Sequence, residues 1–238
     1  MLVASISWAW SRRLKWAAFT LTDLLVTLAV ISVLAAVLVP VVARARTGSR
    51  LSLCTGNLQQ VSRAVLQYAH DHQERLPPVD GSPPPGGWWF YKDRVKAYLG
   101  LQGPSSPEEK VFACPEDRGY GEGTERPRPF WQSRKHNFTS YVFNGVNLPG
   151  VPNIAGWELA DIQAPARTLL VMEWVAHAPL SWHKSRPGKA NTPFYCDAES
   201  VVGFVDGHVA LTKIYYDGLN AAYTRDPPSG YDYKYSGN

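Results

Sequence analysis

Residues 24–43 run for twenty positions without a formal charge, and Leu, Val, Ala and Ile fill most of them. About twenty apolar residues in a helix match the hydrocarbon thickness of a bilayer, so this run predicts a membrane-crossing helix. Beyond it the pattern changes. Leu51, Cys54, Leu58, Val61, Val65 and Tyr68 recur at alternating spacings of three and four, which draws one apolar stripe along a helix. Arg50, Asn57, Gln60, Arg63 and Gln67 fill the other faces. Together the two patterns predict one helix over residues 19–72, on the order of 80 Å long at about 1.5 Å per residue. No compact domain of this size encloses such a helix. Its first half must lie in a membrane or a filament core, and its second half must pack on a globular domain. Gly48 and Gly56 weaken it by about 1 kcal/mol each relative to alanine, and Pro40 is a natural point for a kink.

Leu76-Pro77-Pro78 ends the helical pattern, and Pro83-Pro84-Pro85-Gly86-Gly87 makes a stiff, irregular connection. Four aromatic residues, Trp88, Trp89, Phe90 and Tyr91, follow, with a short helix expected over residues 93–99. Such a cluster either anchors a small core or offers rings to a sugar, and the core reading is preferred. The remainder reads as short strands. Ser140-Tyr141-Val142-Phe143 runs into Asn144-Gly145, a hairpin pattern, and residues 169–175 form a second apolar run. Residues 201–205 and 208–214 flank Asp206-Gly207, another turn pair with the residue preference of a type I′ hairpin. The economical architecture is α+β, with the long helix packed on a C-terminal antiparallel sheet.

Composition narrows the classes. With 238 residues, 45% of them hydrophobic and 18% charged, the chain can build one ordinary domain beyond its helix. The net charge of +4 comes from scattered Lys and Arg, which gives nucleic-acid binding no support. Arg12, Arg13 and Lys15 precede the apolar run, and Arg44, Arg46 and Arg50 follow it, so basic residues alone do not fix its orientation. The three cysteines, Cys54, Cys114 and Cys196, have no CxxC spacing, so no zinc site is expected. His177, His183 and His208 with Asp197, Glu199 and Asp206 are residues of the right type for a metal or hydrolase site, but nothing in their spacing joins them. No nucleophile elbow, phosphate loop or paired-acid motif is visible, and an enzyme is not expected.

One carboxylate, Asp23, interrupts the start of the apolar run. An ionised Asp within a membrane helix costs about 2.5–3.5 kcal/mol on insertion scales, so such a residue usually has an interface or a partner to itself. Phe19-Thr20-Leu21-Thr22-Asp23, behind a short basic leader ending in Ala17-Ala18, resembles the opening of the type IV pilin and type II secretion pseudopilin superfamily. In this chain Ala18 stands where the family usually has glycine, and Asp23 where it usually has glutamate. Pro40 falls at the twenty-second position counted from Phe19, where many members carry a helix-loosening proline. Three later segments resemble a bacterial branch of prepilin-like proteins with large C-terminal domains: Phe112-Ala113-Cys114-Pro115-Glu116-Asp117, Ser140-Tyr141-Val142-Phe143-Asn144-Gly145 and Phe204-Val205-Asp206-Gly207-His208-Val209. Residues 150–200 and the tail after Tyr216 lie outside the resemblance.

The resemblance implies a pilin-like fold in four parts: a leader over residues 1–18, a membrane or filament-core segment over 19–43, an amphipathic helix over 44–76 and a globular domain over 77–238. It further implies cleavage by prepilin peptidase between Ala18 and Phe19, residence in the bacterial inner membrane with the C-terminal domain outside the cytoplasm, and assembly with copies of itself or other pilin-like subunits into a type IV pilus or secretion pseudopilus. Asp23 would then neutralise the amino terminus of Phe19 in a neighbouring subunit. No cofactor is expected, with calcium the open case, because major pseudopilins bind it in a C-terminal loop. Asp197, Glu199, Asp217, Asp226 and Asp232 offer oxygen ligands for it, at a spacing that matches no known loop. The alternative from another class is a signal-anchored extracytoplasmic enzyme or glycan-binding domain that uses the Trp-rich surface and the His and Asp residues. Among the cysteines, Cys54 lies on the stripe that must face the globular domain and Cys114 stands beside Pro115 where the chain can return to the helix. The expected pair is therefore Cys54 with Cys114, which leaves Cys196 as an odd, buried thiol.

Overall fold

A computed structural model describes residues 20–79, 87–119, 128–178, 180–183 and 195–238. Helix α1 runs without interruption over Leu21–Asp71 and includes Pro40. Its first turn is closed by a capping box. Thr20 donates to Asp23 Oδ2 from its backbone N–H (3.0 Å) and its hydroxyl (2.7 Å), while the Asp23 N–H donates to Thr20 Oγ1 (3.2 Å). The helix stops where Gln73 and Glu74 both take left-handed backbone angles, with φ at 59°, just ahead of Pro77 and Pro78.

The chain divides into two compact units, residues up to Arg46 and Thr47–Asn238. In the first, every described residue is exposed, and the segment is long and apolar enough to cross a membrane. In the second, the stripe foreseen from sequence is buried: Cys54, Leu58, Val61, Val65 and Tyr68 line one face of α1 together with Ser62, Ala64 and Ala69. They pack on a four-stranded antiparallel sheet in the order β1 (Tyr141–Phe143), β2 (Leu169–Glu173), β3 (Ala198–Phe204) and β4 (Val209–Ile214). Val142 lies opposite Met172, Met172 opposite Val202, and Val202 opposite Ala210. β1 and β2 are buried at every position, which explains why they read as unbroken apolar runs instead of alternating ones.

The helix packs tightly on the sheet at Gly203. A Cβ built on Gly203 would stand 2.4 Å from Ser62 Oγ and 3.3 Å from the Val171 carbonyl. Ser62 Oγ is itself buried and has no hydrogen-bond partner among the described residues, a cost of about 1–3 kcal/mol for a hydroxyl. Gly203→Ala is expected to destabilise the domain by about 1–3 kcal/mol through overpacking. Ser62→Ala should be neutral or stabilising, and in the double variant it should restore most of the loss, a non-additivity that a denaturation double-mutant cycle reads directly. Strictly additive effects would mean that the two side chains do not meet.

Two sequence expectations need correction. Asn144-Gly145 does not close a hairpin. The Asn144 side chain is buried and donates to the Leu169 and Tyr235 carbonyls, both at 2.8 Å. It thus ties β1 to β2 and to the C-terminal tail, and the chain makes a long excursion before returning as β2. At Asp206-Gly207 a tight β3–β4 hairpin does form, but only Gly207 has positive φ (91°). The Gly207 N–H donates to the Phe204 carbonyl (2.9 Å), a three-residue loop with a left-handed last position in place of a type I′ turn. The short helix near residue 93 is α2 (Tyr91–Val95), continued as a 3₁₀ turn over Lys96–Leu99. Lys92 on α2 is fully buried, and its ammonium meets Glu109 at 2.7 Å and the Asn137 and Phe138 carbonyls at 3.0 Å.

Candidate functional site

The densest meeting of polar side chains in the interior lies where α1 touches the loop before β1. Cys54 of α1 and Cys114 of that loop form a disulfide, with Cα atoms 4.8 Å apart. Flanking contacts hold the same loop on the helix. Asn57 Nδ2 donates to the Ala113 carbonyl (2.9 Å) and the Lys110 carbonyl (3.2 Å), and Arg50 pairs with Glu116 at 3.1 Å. After Cys114-Pro115-Glu116 the chain turns, with the Asp117 N–H donating back to the Cys114 carbonyl (3.0 Å).

Asp117 then points inward and acts as an acceptor for four groups: the N–H groups of Gly119 (2.7 Å), Phe130 (2.8 Å) and Trp131 (3.4 Å) and the Ser140 hydroxyl (2.7 Å). Burial pushes its carboxyl up to about 7, against those hydrogen bonds, which favour the ionised form. Ser140 Oγ also accepts the Cys114 N–H (3.0 Å). Asp117 therefore fixes the loop that carries Cys114 and gives the Cys-Pro-Glu-Asp and Ser-Tyr-Val-Phe segments a common structural purpose.

On the other side of the disulfide stand Glu173, the last residue of β2, and His183. Glu173 is fully buried. One carboxylate oxygen accepts the Val201 N–H of β3 (2.9 Å), and the other lies 2.8 Å from His183 Nε2. That nitrogen is also 3.9 Å from Cys114 Sγ. Burial works against a charge on His183, but the hydrogen bond and charge of Glu173, with Glu116 behind them, prevail and raise its pKa above the usual histidine value. A buried histidine–carboxylate hydrogen bond thus abuts the disulfide. Cys54, Cys114, Glu173 and His183 each present one ligating atom, and these atoms all lie within 4.8 Å of one another. This is the group among the described residues with the donors and spacing to hold a metal. Sequence reasoning discounted zinc because it looked for ligands close in the chain, whereas these four come from α1, a loop, a strand and the segment after it.

The remaining candidates are dispersed. Ala18 and Phe19 lie outside the described residues, Asp23 is exposed at the start of α1, and Pro40 lies within it. Asp197 accepts the Tyr231 hydroxyl (2.8 Å), Asp217 pairs with Arg225 and accepts the Leu219 and Asn220 N–H groups (both 2.9 Å), and Asp226 accepts the Tyr235 and Ser236 N–H groups (2.6 and 2.9 Å). Asp217 serves its own turn, Asp197 and Asp226 tie distant parts of the chain together, and although Asp197, Glu199 and Asp232 line one surface pocket, the five do not form a metal-holding group among the described residues. His177 is buried against the rings of Trp88 and Tyr223, both at 5.1 Å, and burial lowers its pKa to about 3. His208 pairs with Asp206 and stacks on Phe204 at the surface.

Cys196 is half-buried, not buried, and its sulfur lies 3.1 Å from the Tyr231 hydroxyl. Of the aromatic cluster, Trp88, Trp89 and Tyr91 are buried and only Phe90 is 48% exposed. The Trp-rich segment is therefore mostly packed into the core, with Phe90 left at the surface. Comparisons with protein-family models, curated proteins and solved structures find no match to this chain.

Proposed function

We propose that the chain is a structural subunit of the prepilin type, cut between Ala18 and Phe19, held in the inner membrane by the first half of α1 with its C-terminal domain outside the cytoplasm, and drawn from there into a pilus or pseudopilus. The observation that carries this reading is the composition of α1. Residues 20–43 carry one charge, Asp23, and their apolar side chains, among them Leu25, Ile31, Val37 and Val42, are exposed on all faces of the helix. Exposed apolar surface on this scale requires a lipid or protein covering. A plain anchor would be served better by a helix with no acid in it; an acid at the fifth position from Phe19, in an opening that resembles those of pilins, fits subunit packing instead.

Intact mass of the detergent-extracted chain, made in a host with active prepilin peptidase, tests the proposal. The expected product lacks residues 1–18 and carries one methyl group on the amine of Phe19. Recovery of the uncut chain alone, or a cut after the apolar run, would remove the basis for this reading.

A further inference from the structure

We propose that Cys54, Cys114, His183 and Glu173 form a zinc site when the Cys54–Cys114 bond is reduced, so that α1 can be fastened to the domain either by the disulfide or by a metal ion. Two thiolates, an imidazole nitrogen and a carboxylate oxygen are a ligand set that zinc accepts in tetrahedral array. The four donor atoms already lie within 4.8 Å of one another. The two sulfurs need only separate to about 3.8 Å, the edge of a tetrahedron whose Zn–S bonds are about 2.3 Å. His183 Nε2, 2.8 Å from Glu173 and 3.9 Å from Cys114 Sγ, points into the space between the acid and the sulfur.

The outer contacts suit the task as well. The second oxygen of Glu173 is held by the Val201 N–H, the Cys114 N–H by Ser140, and the Cys54 carbonyl accepts the Tyr141 hydroxyl at 3.2 Å. Glu173 and the backbones of both cysteines are thereby held in place by neighbours, as metal sites require. A purely structural disulfide does not need a buried histidine–carboxylate pair against its sulfur, and such a pair is costly to bury.

The chemistry balances. A dithiol or phosphine reductant supplies two electrons to the S–S bond, and two protons complete the thiols. Zn²⁺ then binds the two thiolates with release of both thiol protons and takes the neutral imidazole nitrogen, so binding weakens as pH falls. Before oxidation, when the chain still carries free thiols, the ion would hold the domain on α1.

The test uses the full chain in detergent, produced under reducing conditions and kept anaerobic with a phosphine, and titrated with Co²⁺ and then Zn²⁺. The expected result is one Co²⁺ per chain with the visible bands of a tetrahedral thiolate complex, displacement by Zn²⁺, and no such bands from the oxidised chain. His183→Asn, first confirmed as folded in its oxidised form, should lose more than the ~10–100-fold that removal of an outer partner costs. Independently, Zn²⁺ should slow alkylation of Cys54 and Cys114 in the reduced wild-type chain while leaving Cys196 unchanged. A reduced chain that takes up no Co²⁺, an undiminished affinity in His183→Asn, or alkylation of Cys54 and Cys114 at the same rate with and without Zn²⁺ would each overturn the proposal.

Discussion

Asp23→Ala is expected to leave membrane insertion intact or improved and to reduce incorporation into filaments on the order of 100-fold or more. The two halves of this expectation have separate physical sources. Removing an ionised acid from an apolar helix relieves about 2.5–3.5 kcal/mol on insertion scales. Removing one member of a water-excluded ion pair strands the other, here the amine of Phe19 in a neighbouring subunit, at a cost of about 3–5 kcal/mol. The capping box supplies a control that the sequence reading did not contain. Thr20 and Asp23 satisfy each other at the start of α1, so Asp23→Ala also frays the first turn. Thr20→Ala removes the cap while keeping the acid, and should cost only about 1 kcal/mol of local helix stability with filaments still forming. Asp23→Glu should be tolerated in both assays. Sedimentable filaments, counted against membrane-bound subunits, decide the matter: normal assembly by Asp23→Ala, or an equal defect in Thr20→Ala, would reduce Asp23 to a helix cap.

Loss of the disulfide should have the largest effect on the globular domain. The bond joins residues 60 positions apart, and closing a loop of that length contributes about 4 kcal/mol through the entropy of the unfolded chain. Cys54→Ser and Cys114→Ser should each lower domain stability by about that amount in chemical denaturation under oxidising conditions. They should act alike, because either removes the same bond. Cys196→Ser, at a half-buried thiol outside the bond, should change stability by less than about 0.5 kcal/mol, as surface substitutions do. A shift under about 1 kcal/mol for Cys54→Ser would mean that Asn57, Arg50 and the Asp117 loop hold the helix without help from the bond. Since α1 carries the segment proposed to enter the filament, a weakened junction would also uncouple the domain from it.

The sequence by itself determined α1, its apolar first half and its stripe, because helical period and the absence of charge are properties of neighbouring residues. It determined the β3–β4 hairpin for the same reason, since Asp206-Gly207 is a local turn whose backbone demand falls on one glycine. Asn144-Gly145 carried an equally local pattern, yet the structure spends the Asn144 amide on the Leu169 and Tyr235 carbonyls. There a distant hydrogen-bonding need overrode the turn preference. The C-terminal tail looked featureless but is stitched into the domain: Lys234 exchanges backbone hydrogen bonds with Leu169 and Arg167, and Tyr233 and Tyr235 are buried.

Only the tertiary structure decided the candidate site. The pairing of Cys54 with Cys114 could be reasoned from an apolar stripe, because the stripe marks which face of α1 is buried. Glu173 and His183 could not, since a carboxylate at a strand end and a histidine in a loop are ordinary until the sheet closes over both. Their polar side chains become costly, and therefore informative, only when folding has taken them out of water and set them beside the disulfide.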